Sequence, residues 1–378
     1  MISLRKLLGK SNFRQYATHA THPNCLETVT NSRSRNSKKD DLNHDTKPCK
    51  TSKASKTSSS TDCENLWEKH HTKSGLIPYF EAQDIELKNL LEIADKMRDY
   101  FAKRPDKYKK VVRSLVLESA HQSAAFGGNK LKMMDAIKID EGLETRLLHE
   151  SSNIVCLESQ QLADLELPSP ESLLPGSNTD QVAVLRNQIL LTRFLLEKAL
   201  SKSDPFRIAY EMETLQNLCS ITLRGTRQAN INHYNWGTNT KLGDFRTIPA
   251  SSTKAGLIIH PCPSRIPERI EYLLALRTAF LRSNEFQLHP LLQVTRMFVD
   301  FSLVHPFAAG NGRIGRALLA DALVRFGFLP LVFYDVLTAD YFKMMLAAQH
   351  GNPHWLLFTL VRTQAEMMNT IALRDFVE

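Results

Sequence analysis

The densest chemistry in this 378-residue chain lies in twelve consecutive residues, His305-Pro306-Phe307-Ala308-Ala309-Gly310-Asn311-Gly312-Arg313-Ile314-Gly315-Arg316. Just before them, Leu291, Val294, Phe298 and Phe301 recur at helical spacing, which puts His305 at the end of an apolar helix. Pro306 stops that helix. Gly310-Asn311-Gly312 then permits a sharp turn, because Gly and Asn accept positive φ. Ile314, Leu318, Ala322 and Leu323 make the apolar row of a following helix that starts near Gly312. Unpaired backbone N–H groups and the positive end of a helix dipole converge there, an arrangement that holds anions, most often phosphate. Arg313 and Arg316, three apart in the first turn, share a face and can both reach a polyphosphate. Cations in that turn are mildly unfavourable, by about 0.3–1 kcal/mol each, unless an anion lies between them. His305 is the neighbour that exchanges a proton near neutral pH. A base beside a bound polyphosphate suits transfer of a phosphate-containing group to a hydroxyl. The plainer alternative is a capped structural histidine, with arginines paired to surface carboxylates.

The elements that must position these residues are helical. Asp84 opens an apolar-periodic stretch that runs to about Pro105, and a second helix is predicted over 107–123. A turn-rich loop, Leu167-Pro168-Ser169-Pro170 through Pro175-Gly176-Ser177-Asn178, comes next. Further helices are predicted over 180–202, 205–224, 267–283, 288–304, 312–327, 338–349 and 353–374. Only Gly243–Ile248 and Ala255–His260 look extended, as the two arms of one hairpin. The fold class expected is therefore all-α with one short β-hairpin.

The twelve residues resemble the core motif HPFx(D/E)GNGRxxR of the Fic family, a mostly helical fold whose members transfer AMP from ATP to Ser, Thr or Tyr hydroxyls of proteins. Gly243-Asp244-Phe245-Arg246, followed by His260-Pro261-Cys262-Pro263, resembles the family's flap. Gly327-Phe328-Leu329-Pro330 and Tyr341 fit the helix that follows, so the resemblance spans about 180–365. It implies that His305 deprotonates the target hydroxyl. It implies that Phe307, Gly310, Asn311, Gly312, Arg313, Arg316 and Tyr341 bind the nucleotide, Arg313 at the β-phosphate, Arg316 at the γ-phosphate and Tyr341 by the adenine. Phe245, Arg246, Thr247 and Ile248 would align the target segment as an added strand. ATP is the implied substrate, an unidentified protein the implied target, and Mg²⁺ the implied metal.

Two positions depart from the family. The acidic metal-binding residue is Ala309 here, and a methyl group cannot ligate a hard cation. Either another group or the nucleotide alone then carries Mg²⁺, or turnover is low, or a different group is transferred. No protein metal ligand is expected. Ser123-Ala124-Ala125-Phe126-Gly127-Gly128-Asn129 is similar to the family's inhibitory motif, Ser-x-x-x-Glu-Gly-Asn, with Gly127 in place of the Glu. That implies an Arg316 left free for ATP. A nucleotide-binding pseudoenzyme or adaptor is the alternative function.

Composition bounds the rest. The net charge of +8 lies entirely in residues 1–60, which hold twelve basic and four acidic side chains. The remaining residues are balanced, which argues against a nucleic-acid-binding body and against a DNA-binding helix-turn-helix. Residues 1–20 contain Arg5, Lys6, Lys10 and Arg14, no acid, and an apolar side of Ile2, Leu4, Leu7 and Leu8. That is the pattern of a mitochondrial transit peptide, with matrix localisation expected and a cytoplasmic chain with a plain basic tail as the alternative. Eight of the eleven residues Thr51–Thr61 are Ser or Thr, so a disordered tether is expected. The domains expected are a tail over 1–62, a helical region over 63–165 and a Fic domain over 180–375. Six scattered cysteines without a CxxC pair suggest reduced thiols. No membrane span is expected, and a homodimer is an allowed assembly.

Overall fold

The computed structural model describes residues 85–145, 154–201, 210–230, 240–252, 258–282, 288–334 and 336–374. The expected transit segment and tether lie outside them. Twelve α-helices carry the described fold. They are α1 (Ile85–Ala102), α2 (Pro105–Phe126), α3 (Met133–Leu143), α4 (Ser159–Asp164), α5 (Pro170–Leu173) and α6 (Thr179–Leu200), then α7 (Met212–Leu223), α8 (Ile266–Arg282), α9 (Pro290–Val304), α10 (Asn311–Arg325), α11 (Thr338–Gln349) and α12 (His354–Arg374). One antiparallel hairpin pairs β1 (Ser251–Ser252) with β2 (Ile258–Ile259). The all-α expectation with one hairpin holds. No helix among the described residues is long and apolar enough to cross a membrane.

Two helices organise the rest. Helix α6 is buried almost all round, including Arg186, Asn187, Gln188 and Thr192, as expected of a helix with neighbours on every side. Two of its buried polar side chains reach carbonyls: Arg186 donates to that of Pro168 at 2.6 Å and Asn187 to that of Arg224 at 2.7 Å. Helix α10 packs against α2, α6, α7 and α9. Its N-terminus is therefore fixed from several sides, which is what a preorganised site needs. Beneath it, Phe194, Leu218, Ile266, Ile270, Phe301, Phe307 and Ile314 join one apolar core.

Gly315 sets how closely α10 approaches α9. A Cβ there would meet Phe301 at 3.1 Å and Phe298 at 3.3 Å. Alanine would gain about 0.8–1 kcal/mol of helix propensity and give back a similar amount as the rings move. Gly315→Ala is therefore expected to be near neutral. Gly315→Leu is expected to destabilise by about 1–3 kcal/mol through overpacking. Urea unfolding of both variants checks the difference.

Several local expectations need correction. The helix expected from about 205 starts at Met212 within the described residues. Helices α3, α4 and α5 were not anticipated. At α5 the Pro-Ser-Pro signal marks a helix start rather than a loop, with Ser169 as N-cap accepting from Ser172 N–H at 3.2 Å and Pro170 in the first turn. The first arm of the hairpin is Ser251–Ser252, not 243–248. Cys156 and Cys219 are free thiols, whereas Cys262 is disulfide-bonded, so the all-thiol expectation does not hold for it.

Candidate active site

Helix α9 ends where the apolar row predicts. His305 caps it with φ 47° and ψ 59°, the only left-handed non-glycine residue among those described. That conformation costs a non-glycine residue roughly 1–2 kcal/mol, and it turns the chain sharply out of the helix. Gly310, at φ 82°, makes the second left-handed turn and starts α10. A Cβ at Gly310 would lie 3.2 Å from Leu223, so the turn also presses against the end of α7.

Between these turns the backbone forms an N–H nest. Among the described residues, the amides of Ala308, Ala309, Gly310, Asn311 and Gly312 donate to no protein acceptor. They sit at the positive end of α10. Asn311 is buried and closes the loop, since its Oδ1 accepts from Phe307 N–H at 3.0 Å and its Nδ2 donates to the Phe307 carbonyl at 2.7 Å. Its side chain is thus a loop clasp rather than a phosphate ligand. Phe307 is a core residue, fully buried with its ring 5.4 Å from that of Phe245, so it anchors the loop from beneath and does not face a nucleotide.

The residues expected to align a target segment divide. Arg246 is only 2% exposed, so that role does not fit it. Its guanidinium donates to the carbonyls of His305 at 2.8 Å, Ile248 at 2.9 Å and Pro261 at 2.7 Å, and its backbone N–H to Pro306 at 2.9 Å. This clasp explains why Phe245–Ile248 is not a strand: the segment is tied to the loop instead. Burial pushes the Arg246 guanidinium down to about 10, still charged at neutral pH. Thr247 is exposed and Ile248 half-buried at the edge of this clasp.

Both motif arginines are engaged. Arg313 is buried, donating to the Thr222 carbonyl at 3.3 Å and to the Gln228 amide oxygen. Arg316 donates to the Ser123 hydroxyl at 2.9 Å, the Ser123 carbonyl at 2.7 Å and the Tyr341 hydroxyl at 3.0 Å. The expectation that losing a carboxylate at Gly127 leaves Arg316 free is therefore wrong. Ser123 lies in the last turn of α2, where orphan carbonyls and the negative helix end attract a cation without any carboxylate. Tyr341 is buried and stacked on Phe126, with centroids 4.3 Å apart and planes 10° apart, so that face is closed to an adenine.

The His305 ring is half-buried against His260, an arrangement the sequence reading missed; the second His-Pro pair at 260–261 was its only signal. Burial, then the His260 ring, then the Arg246 guanidinium push the His305 imidazole well below its ordinary value. The Ser302 backbone beside the ring pulls the other way, more weakly. One ring nitrogen thus carries the proton and the other keeps its lone pair at neutral pH. Ala309 is apolar and 9% exposed. The position that would carry a metal-binding carboxylate does not fit Mg²⁺, and no cluster of three or more His, Cys, Asp or Glu side chains suited to a metal occurs among the described residues.

Residues 211–323 match the Fic/DOC family model. The protein adenylyltransferase Fic of Nematostella vectensis is 30% identical over 102 residues, which is 27% of this chain and 23% of that protein, so the match spans under a quarter of the relative. A Fic family protein from Desulfovibrio desulfuricans G20 has a similar structure, with a TM-score of 0.52 and 15% identity over 77% of this chain and 75% of the other. Fic-1 from C. elegans gives a TM-score of 0.52 and 17% identity over 77% and 74% of the two chains. These two likenesses speak to the fold alone. The motif from His305 to Arg316, the matched region and the helical architecture agree, and over residues 211–323 the chain is similar to the Fic/DOC family.

Proposed function

We propose that this site transfers AMP from ATP to a Ser, Thr or Tyr hydroxyl of a protein target. The observation that carries the reading is the nest of unpaired N–H groups at the start of α10, which begins three residues after an uncharged His305. The lone-pair nitrogen of His305 takes the proton of the target hydroxyl. Its oxygen bonds to the α-phosphorus, and the bond from that phosphorus to the bridging oxygen of the β-phosphate breaks. Pyrophosphate leaves with the electron pair. The nest amides stabilise charge on the phosphate oxygens, the kind of preorganised donor set that contributes most to such catalysis. Arg316 reaches the terminal phosphate by exchanging Ser123 for it. The residues present offer no carboxylate for Mg²⁺ at 309, so no step is routed through a protein-held metal.

A second reading, a nucleotide-binding protein without turnover, is favoured by Ala309 and by the engagement of both arginines. The test uses α-labelled ATP with Mg²⁺ or Mn²⁺ and a mitochondrial lysate. Ala309→Asp is expected to raise label incorporation about ten- to a hundredfold, as restored charge neutralisation would. Arg316→Ala is expected to weaken ATP binding about tenfold or more in calorimetry, the value of a charged hydrogen bond. Label from neither the native chain nor Ala309→Asp excludes transfer of AMP. A different mass shift on the target would identify another phosphate-containing group. The acid-free amphipathic segment 1–20 supports action in the mitochondrial matrix, which fractionation of cells expressing the full chain tests.

A further inference from the structure

His260 follows β2 and is 1% exposed. Its Nδ1 lies 3.0 Å from the Leu303 carbonyl in the last turn of α9. A carbonyl only accepts, so this nitrogen carries a proton. The backbone N–H of His260 donates to the Ala250 carbonyl at 3.2 Å, just before β1. Ring and backbone are thus both tied down, one to α9 and the other to the foot of the hairpin. Against this fixed ring lies the imidazole of His305, with centroids 4.1 Å apart and planes 17° apart. Face-to-face contact at that separation restricts ring rotation.

Resting on the reading of His305 as base, we propose that His260 is its positioning residue: a buried, carbonyl-anchored ring that supplies the flat surface on which the His305 imidazole is aimed. His260 touches no reacting atom in this scheme and acts only through His305. The charged or titratable groups facing His305 are His260 and Arg246. Two imidazolium rings at this separation would repel each other, and Arg246 adds a third positive charge. The stack therefore also favours the uncharged form that a base requires.

The test uses the full chain with His260→Phe, which keeps a flat ring but removes the nitrogens, and His260→Ala, which removes the ring. Histidine side chains are isotopically labelled and titrated by NMR, and the His305 signal is identified by its loss in His305→Asn. The His305 midpoint is expected to rise toward the ordinary imidazole value in both variants, and its ring signal to broaden or move in His260→Ala alone. In the transfer assay, His260→Ala is expected to lower kcat about a hundredfold, the cost of misplacing a reacting group, with KM for ATP unchanged. His260→Phe is expected to recover most of that loss while moving the acidic limb of the pH profile upward. If the His305 signal and midpoint coincide in native protein and both variants, His260 positions nothing and the proposal falls. If the native chain transfers nothing, the functional reading fails, yet the NMR titration still decides the role of His260. Should His260→Ala not fold, His260→Leu, which fills the space without a flat ring, replaces it in the NMR and transfer measurements, with the same ring-signal change and loss of kcat expected.

Discussion

His305→Asn is expected to lose transfer by about 10²–10⁴-fold, the usual contribution of a positioned base, while binding ATP as the native chain does. Asparagine is the informative replacement because it tolerates the left-handed backbone that His305 adopts. Its melting temperature should therefore stay close to native, which separates lost chemistry from lost fold. The pH dependence follows from the direction in which the imidazole is displaced. The base works unprotonated, and burial with His260 and Arg246 holds it well below the ordinary value. Native transfer should thus remain level as pH falls past 6.5 and decline only well below that value. Stability behaves differently. Below an ordinary value of about 6.5 the unfolded chain takes up the proton and the native state does not, so stability falls with pH through that window and is level above it. His305→Asn should flatten this slope. Transfer that survives His305→Asn would sink the base assignment.

The second large effect is structural. Asp321 is 0% exposed in the body of α10. It accepts from Arg277 at 2.6 Å and from Arg325 Nε at 3.0 Å, and Arg277 also lies over the Tyr210 ring, 3.9 Å from its centroid. Burial alone would raise the Asp321 carboxyl, but the two guanidiniums outweigh it and hold it below the ordinary range. Asp321→Ala removes the anion between two buried cations and is expected to cost about 3–5 kcal/mol. Replacing all three residues together, Asp321→Leu with Arg277→Met and Arg325→Leu, should recover most of that loss, since no buried charge then lacks its counterpart. Denaturant unfolding of both proteins checks the pair of outcomes. A loss below about 1 kcal/mol for Asp321→Ala, the value of an exposed pair, would mean that water reaches the cluster.

Long periodic segments were readable from sequence because one face of each repeats often enough. Helix α11 falls at 338–349 as expected, and α6 and α12 within two residues. The loop from His305 to Arg316 was readable because its architecture is local: a helix end, a proline, a glycine turn and a helix start lie in one stretch. Helices α4 and α5 hold six and four residues, too few to show a period. The side-chain roles were hidden for a different reason. Arg246, Arg313 and Arg316 find acceptors 59, 91 and 193 residues away along the chain. Spacing within a motif says where a side chain starts, not which distant carbonyl it meets. Arg316 shows this best, since the missing carboxylate at 127 was legible and the Ser123 carbonyl that takes its place was not.

One guanidinium gathers the backbone of the hairpin's entry, its exit and the loop after α9, through Ile248, Pro261 and His305. These three stretches cannot open separately without breaking that junction. Their amides should therefore exchange with heavy water at a shared rate, as one cooperative unit within the native ensemble. Fluctuations of the hairpin would then be felt at the imidazole directly.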